Sequence, residues 1–161
     1  MGGLRDLAAW TEPDFSKKKK KMIEADRANY WRTGQRDPDT QLDRAACLII
    51  DAGGVIKARG IGMFGGNEAV LLGYELDGES YRITWPVLIP RNEDSLKDRR
   101  AARIQAATFV YHDVKSKCMA AQVLGTRTAM LPYLLTANGR TVAELTNPEL
   151  EKSLPKMLPG A

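Results

Sequence analysis

Asp77-Gly78, set between two runs of alternating apolar residues, commits this chain to a tight β-hairpin. A two-residue loop of this kind needs positive φ at both central positions, which Asp-Gly tolerates at little cost. With those two residues as the loop, Tyr74 faces Tyr81, Leu72 faces Ile83 and Val70 faces Trp85. All six share one face, and the other face carries Leu71, Glu75, Arg82 and Thr84, so one side is suited to a core. Gly65-Gly66-Asn67 marks an earlier turn, which makes residues 55–63 a first strand and residues 68–76 a second. Pro86 and Pro90 end the third, because proline cannot continue a ladder.

Helices bracket this meander. Thr40 with Asp43 has capping-box spacing, Leu42, Ala45, Ala46 and Ile49 line one face, and Gly53-Gly54 provides a stop, which predicts a helix over 41–52. Ser95 with Asp98 opens a second, and Gly125 closes it, so a helix is predicted over 96–124, about 40 Å long. Ala101, Ile104, Ala107, Tyr111, Val114 and Cys118 trace its expected apolar stripe. A later strand over 129–136, a turn at Asn138-Gly139, a short helix opened by Thr141 and Glu144, and a last helical turn at Asn147-Pro148 complete the order. The fold class is α+β: an antiparallel sheet, a three-stranded meander plus one later strand, covered by one long helix and shorter ones.

Residues 1–38 read differently. Lys17, Lys18, Lys19, Lys20 and Lys21 form an unbroken run of like charge, and only Ile23, Ala25, Tyr30 and Trp31 offer apolar content beyond it. Residues 1–38 are therefore expected to be a basic N-terminal arm, tethered to one domain over 39–161. The formal net charge of +4 is split accordingly. Residues 1–36 hold nine Lys/Arg against five Asp/Glu, residues 37–90 four against eight, and residues 91–161 eleven against seven.

From about Thr40 to Pro159 the chain resembles a family of small, mostly uncharacterised phage and prophage proteins. The likeness is carried by LLGYELDGESYRITWPVLIP, by RRAARIQAATFVYHDVKSKCMAA, and most specifically by MLPYLLTANGRTVAELTNPELEKSLPKMLPG. It implies a mobile-element origin and action in the host cytosol, and no particular activity. A weaker, topological likeness connects the order helix, meander, long helix to phage single-strand annealing proteins; analogy at the level of fold says little about function.

Groups for covalent chemistry are scarce. His112 is the single histidine, flanked by Tyr111 and Asp113 in the long helix, and reads as a packing or surface residue. Cys47 and Cys118 read as two buried free thiols. With one histidine they fall short of the four ligands of a structural zinc site. Asp37, Asp39, Asp43, Glu68, Glu75, Asp77 and Glu79 leave a metal-dependent nuclease as a weak alternative, and read first as caps and solvated strand edges. The glycine pairs lack a following Gly-Lys-Ser/Thr and so do not make a phosphate loop. No cofactor and no metal are expected, and no apolar run reaches the roughly 18–20 residues of a membrane span. The segment MGGLRDLAAWTEPDF lacks a basic stretch followed by an apolar one, so a cytoplasmic protein is expected.

Three basic clusters remain. The lysine run is joined by Arg27, Arg32 and Arg36. Lys57, Arg59 and Arg82 are expected on the outer face of the strands. Arg99, Arg100 and Arg103 open the long helix with Lys97, where cations oppose the helix dipole, and Arg127 and Arg140 lie further on. Leaving Lys97 aside, these sixteen side chains are the candidate nucleic-acid contacts, with Tyr30 and Trp31 as stacking candidates on single strands. The expected function is a nucleic-acid-binding accessory protein, with single-stranded DNA favoured, in recombination or replication. The alternative is a non-enzymatic protein-interaction module, either a virion component or an inhibitor of a host defence complex. A homo-oligomer or a protein complex fits either.

Overall fold

The structure, a computed structural model, describes residues 22–34 and 36–145. Pro38–Asp51 forms α1. Three strands follow, β1 over Val55–Phe64, β2 over Asn67–Leu76 and β3 over Glu79–Pro86, in the spatial order β1-β2-β3. Leu96–Leu124 is α2, the bounds expected, and Thr126–Met130 is α3.

The hairpin register is the one the Asp-Gly loop dictates. Tyr74 pairs with Tyr81, Leu72 with Ile83 and Val70 with Trp85, and Asp77 and Gly78 take φ of 50° and 78°. Tyr74 and Tyr81 stack with ring centroids 5.4 Å apart. Their face is the core face. Val70, Leu72, Tyr74, Tyr81 and Ile83 are buried against Leu42, Ala45 and Ile49 of α1 and Ala102, Ala106, Val110 and Val114 of α2.

Three elements differ from expectation. α1 begins at Pro38, not after Thr40, because a proline at the first helical position loses no hydrogen bond and arrives with its φ already set. The expected strand over 129–136 is not one. α3 restarts the helix directly after Gly125, a 3-10 turn spans Leu131–Tyr133, and only two isolated bridges remain, Leu134 with Tyr81 and Leu135 with Thr141. Pro132 sits where a ladder needs an N–H. The stripe of α2 is rotated: Ala102, Ala106, Val110 and Val114 form the innermost row, whereas Ala101 and Ile104 are only half-buried. Spacings of four and of mixed three and four both fit an alanine-rich helix, so the pattern alone does not choose between them.

Of the expected caps, Thr40 lies inside α1, whose N-cap is Asp37, and the others form at least in part. Ser95 Oγ accepts from the Asp98 amide at 3.2 Å, and Gly53 and Gly54 donate to the Ile50 and Ile49 carbonyls at 2.9 Å. Thr141 and Glu144 form a reciprocal capping box on a 3-10 turn, Val142–Glu144. Asn147-Pro148 lies outside the described residues. Among the described residues no helix is long and apolar enough to cross a membrane.

Candidate nucleic-acid interface

Residues 22–34 are packed on the domain, which corrects the arm boundary at residue 38. The Ala25 amide donates to the Ile89 carbonyl at 2.9 Å, and Ala25 is fully buried. From α2, Gln105 Nε2 donates to the carbonyls of Ala25 and Asn29 at 3.0 and 2.9 Å. Gly34 lies so close to α2 that a Cβ there would meet the Ile104 methyl at 2.8 Å. A local reading cannot anticipate this, because the apolar content of the segment is small and its partners are about 65 to 80 residues away.

The lysine run 17–21, which precedes this segment in the sequence, lies outside the described residues. Glu24 pairs with Arg91 at 3.3 Å, and Asp26 accepts from the Arg91 amide at 2.8 Å. Arg27, Arg36, Lys97 and Arg99 are exposed at the surface. Among the described residues none of the four has a carboxylate partner; Arg99 Nε instead donates to the Glu93 carbonyl at 2.6 Å.

The other candidate cations are engaged within the fold. Arg32 pairs with Asp98, and this takes the carboxylate that the capping box would have used. Arg100 pairs with Asp37 at 2.8 Å, and Arg103 with Glu68. Arg100 and Arg103 therefore meet carboxylates of the loop before α1 and of β2, and such partners offset the unfavourable helix dipole. Arg59 is opposite Leu72 in the ladder, so it lies on the helix side and pairs with Asp43 of α1. The expectation that it shares the outer face with Lys57 and Arg82 fails because a bulge between Ile56 and Ala58 shifts the alternation by one. Lys57 pairs with Glu75 at 3.8 Å. Arg82 is on the outer face but buried, held by Glu144. Arg127 pairs with Glu79, whose hydrogen bond raises the guanidinium pKa further. Arg140 donates to the Glu144 carbonyl at 2.7 Å.

The stacking candidates are also occupied. Tyr30, at φ 64°, stacks on His112 at 5.1 Å and meets Phe109 edge-on at 5.1 Å. Phe109 in turn stacks on Trp85 at 5.6 Å. Trp31 packs against the core, with the Arg32 guanidinium 5.3 Å from its ring.

No family model, no curated protein and no solved structure matches this chain. Its chemistry has to be read from the geometry alone. The carboxylates singled out in the sequence are mostly ion-pair partners. Asp37, Asp43, Glu68, Glu75 and Glu79 each hold a cation, Asp77 accepts from Thr126, and Asp39 is exposed. Among the described residues, no three His, Cys, Asp or Glu side chains come together to hold a metal ion. Cys47 is exposed, not buried as expected, because it faces away from the stripe of Leu42, Ala45 and Ile49; Cys118 is half-buried, and its burial pushes the thiol pKa up. Asp113 accepts from Tyr133 and pairs with Lys117 at 3.2 Å. Burial first, and then that hydrogen bond, raise the Tyr133 phenol well above its usual range.

Counted over the described residues, the body carries sixteen Lys/Arg against fifteen Asp/Glu, whereas residues 1–21 carry six against three. Three of the four net positive charges of the chain therefore reside in residues 1–21.

Proposed function

We propose that this protein is a non-enzymatic nucleic-acid-binding accessory protein of a phage or other mobile element, with single-stranded DNA as its preferred ligand. The observation that carries the reading is that Arg27, Arg36, Lys97 and Arg99 are exposed and, among the described residues, have no carboxylate partner. The docked segment 22–34, which carries the exposed Arg27, follows the lysine run directly in the sequence, and Lys97 and Arg99 lie in the first turn of α2. The described residues carry sixteen Lys/Arg against fifteen Asp/Glu, and most of the other candidate cations are held in ion pairs, so the lysine run and these four side chains are the cations left to meet a polyanion in this reading. The remaining candidates, Arg32, Lys57, Arg59, Arg82, Arg100, Arg103, Arg127 and Arg140, act in this reading as internal ties.

A fluorescence-anisotropy titration with a labelled single strand tests it. Affinity is expected to fall by about 0.7 log unit per log unit of salt for each phosphate neutralised. Replacing all five lysines of the run with alanine should weaken binding for every sequence alike. Replacing Arg59 or Arg127 should leave binding unchanged. No binding in dilute buffer, or binding indifferent to salt, refutes the reading.

A second reading, a protein-interaction module, is favoured by one observation: apolar side chains are exposed together at the opposite end of α2.

A further inference from the structure

α1 and α2 lie side by side and run in the same direction. Gln41 meets Thr108 and Arg44 meets Tyr111, with the same separation of 67 residues in each case. By that offset Asp51, the last residue of α1, is level with Cys118, yet α2 continues to Leu124. About one and a half turns of α2 therefore project past their neighbour. Apolar side chains gather on this projection. Met119, Leu124 and Val123 are 61%, 60% and 85% exposed. Beside them runs a groove of about 440 Å³ whose apolar wall is Leu48, Leu76, Cys118, Met119 and Met130.

The surface thus carries a ridge next to its own groove. A ridge and a groove on one patch complement each other across a two-fold axis, the geometry of an isologous contact. The charges fit the same operation. Lys115 and Asp51 both line the groove, and among the described residues neither has an ion-pair partner. Neither α1 nor α2 has a cation in its last turn, so among the described residues neither helix supplies its own offset to the negative end of its dipole. A two-fold axis near Met119 carries Lys115 of each copy to Asp51 and the carbonyl ends of the other.

We infer that a second copy of this chain docks here, with the C-terminal halves of α2 packed antiparallel and each ridge of Val123 and Leu124 seated in the other copy's groove. Apolar burial supplies the affinity, and the reciprocal Lys115 and Asp51 contacts fix the orientation.

Sedimentation velocity on the full chain, in buffer free of nucleic acid and over a concentration series, tests this independently of any ligand. The expected species has twice the 17.8 kDa mass of the chain. M119E/V123E changes two side chains that are exposed in the single copy, so thermal unfolding of the diluted protein should not move, while dimer affinity falls by roughly 100-fold. D51K should weaken the dimer, and adding K115D should restore it. A monomer at all concentrations up to on the order of 100 μM, a dimer indifferent to M119E/V123E, a charge swap without rescue, or a larger closed assembly would each overturn the proposal.

Discussion

One terminal nitrogen of Arg82 lies 2.9 and 2.8 Å from the two carboxylate oxygens of Glu144, joining the outer face of the sheet to the last described turn of the chain. Arg82 is 1% exposed, so its charge is removed from water and needs that partner. Glu144→Ala should destabilise the protein toward the lower end of the roughly 3–5 kcal/mol typical of breaking a buried pair, because the Glu144 side chain is partly solvated. Arg82→Leu should cost less, since the glutamate left behind can hydrate. Urea unfolding of the two variants compares them. Equal costs would mean that the guanidinium is held mainly by other contacts.

Gln105→Leu addresses the docked segment. It deletes the two hydrogen bonds to the Ala25 and Asn29 carbonyls, but also the buried Oε1, which has no partner. The loss therefore lies toward the lower end of the ~1–3 kcal/mol of an unsatisfied buried group. It should appear locally, as faster hydrogen exchange at the Ala25 amide, with exchange at the β2–β3 ladder unchanged. Slowed or unaltered exchange at Ala25 would show that the Tyr30 stack holds the segment by itself.

What could be read from the sequence was local. The Asp77-Gly78 loop set the pairing of Tyr74 with Tyr81, and Ser95 and Gly125 bounded α2, because loop and cap chemistry acts within a few residues. What escaped was long-range. The expected outer-face role of Arg59 fails on one bulge, and the engagement of Arg103 by Glu68 or of Arg100 by Asp37 joins residues 35 and 63 positions apart. Alternation and helical periodicity carry no information about such partners. The same holds for the candidate site: the lysine run is evident as a charge feature, whereas the docking of residues 22–34 beside α2 depends on Gln105 and Gly34, neither of which signals a ligand.

Alkaline stability follows from the buried phenols. Burial, and then Glu79, push Tyr81 up to about 12, against the opposing effect of Arg127; burial likewise raises Tyr74 and Tyr133. In the unfolded chain these phenols ionise near their ordinary value of 10.0, so the unfolded state releases protons first as pH rises. The contribution of Tyr81 is complete below about pH 10 and is lost as pH climbs through about 12, whereas the loss from Tyr74 and Tyr133 continues beyond that point. Each buried phenol should remove about 1.4 kcal/mol per pH unit in that window. Tyr133→Phe should flatten the decline in urea midpoints between about pH 10 and about pH 11. A parallel decline in the variant would assign the effect to other groups.

Gly54 gives a test of close packing without positive φ. A Cβ there would lie 2.6 Å from the Ile49 methyl and 2.9 Å from the Glu75 carbonyl oxygen. Because one of those atoms is backbone, Gly54→Ala should cost about 1–3 kcal/mol in thermal or urea unfolding. A neutral result would show that the junction of α1 and β1 relaxes freely.

The equal separation along the α1–α2 contact has a kinetic corollary. Two helices whose contacts join residues 67 positions apart cannot associate until the chain between them has turned back on itself. The β2–β3 ribbon, with its ends joined by two residues, closes far sooner. Substitutions such as Leu72→Ala and Ile83→Ala should therefore slow refolding, whereas Leu42→Ala should mainly hasten unfolding.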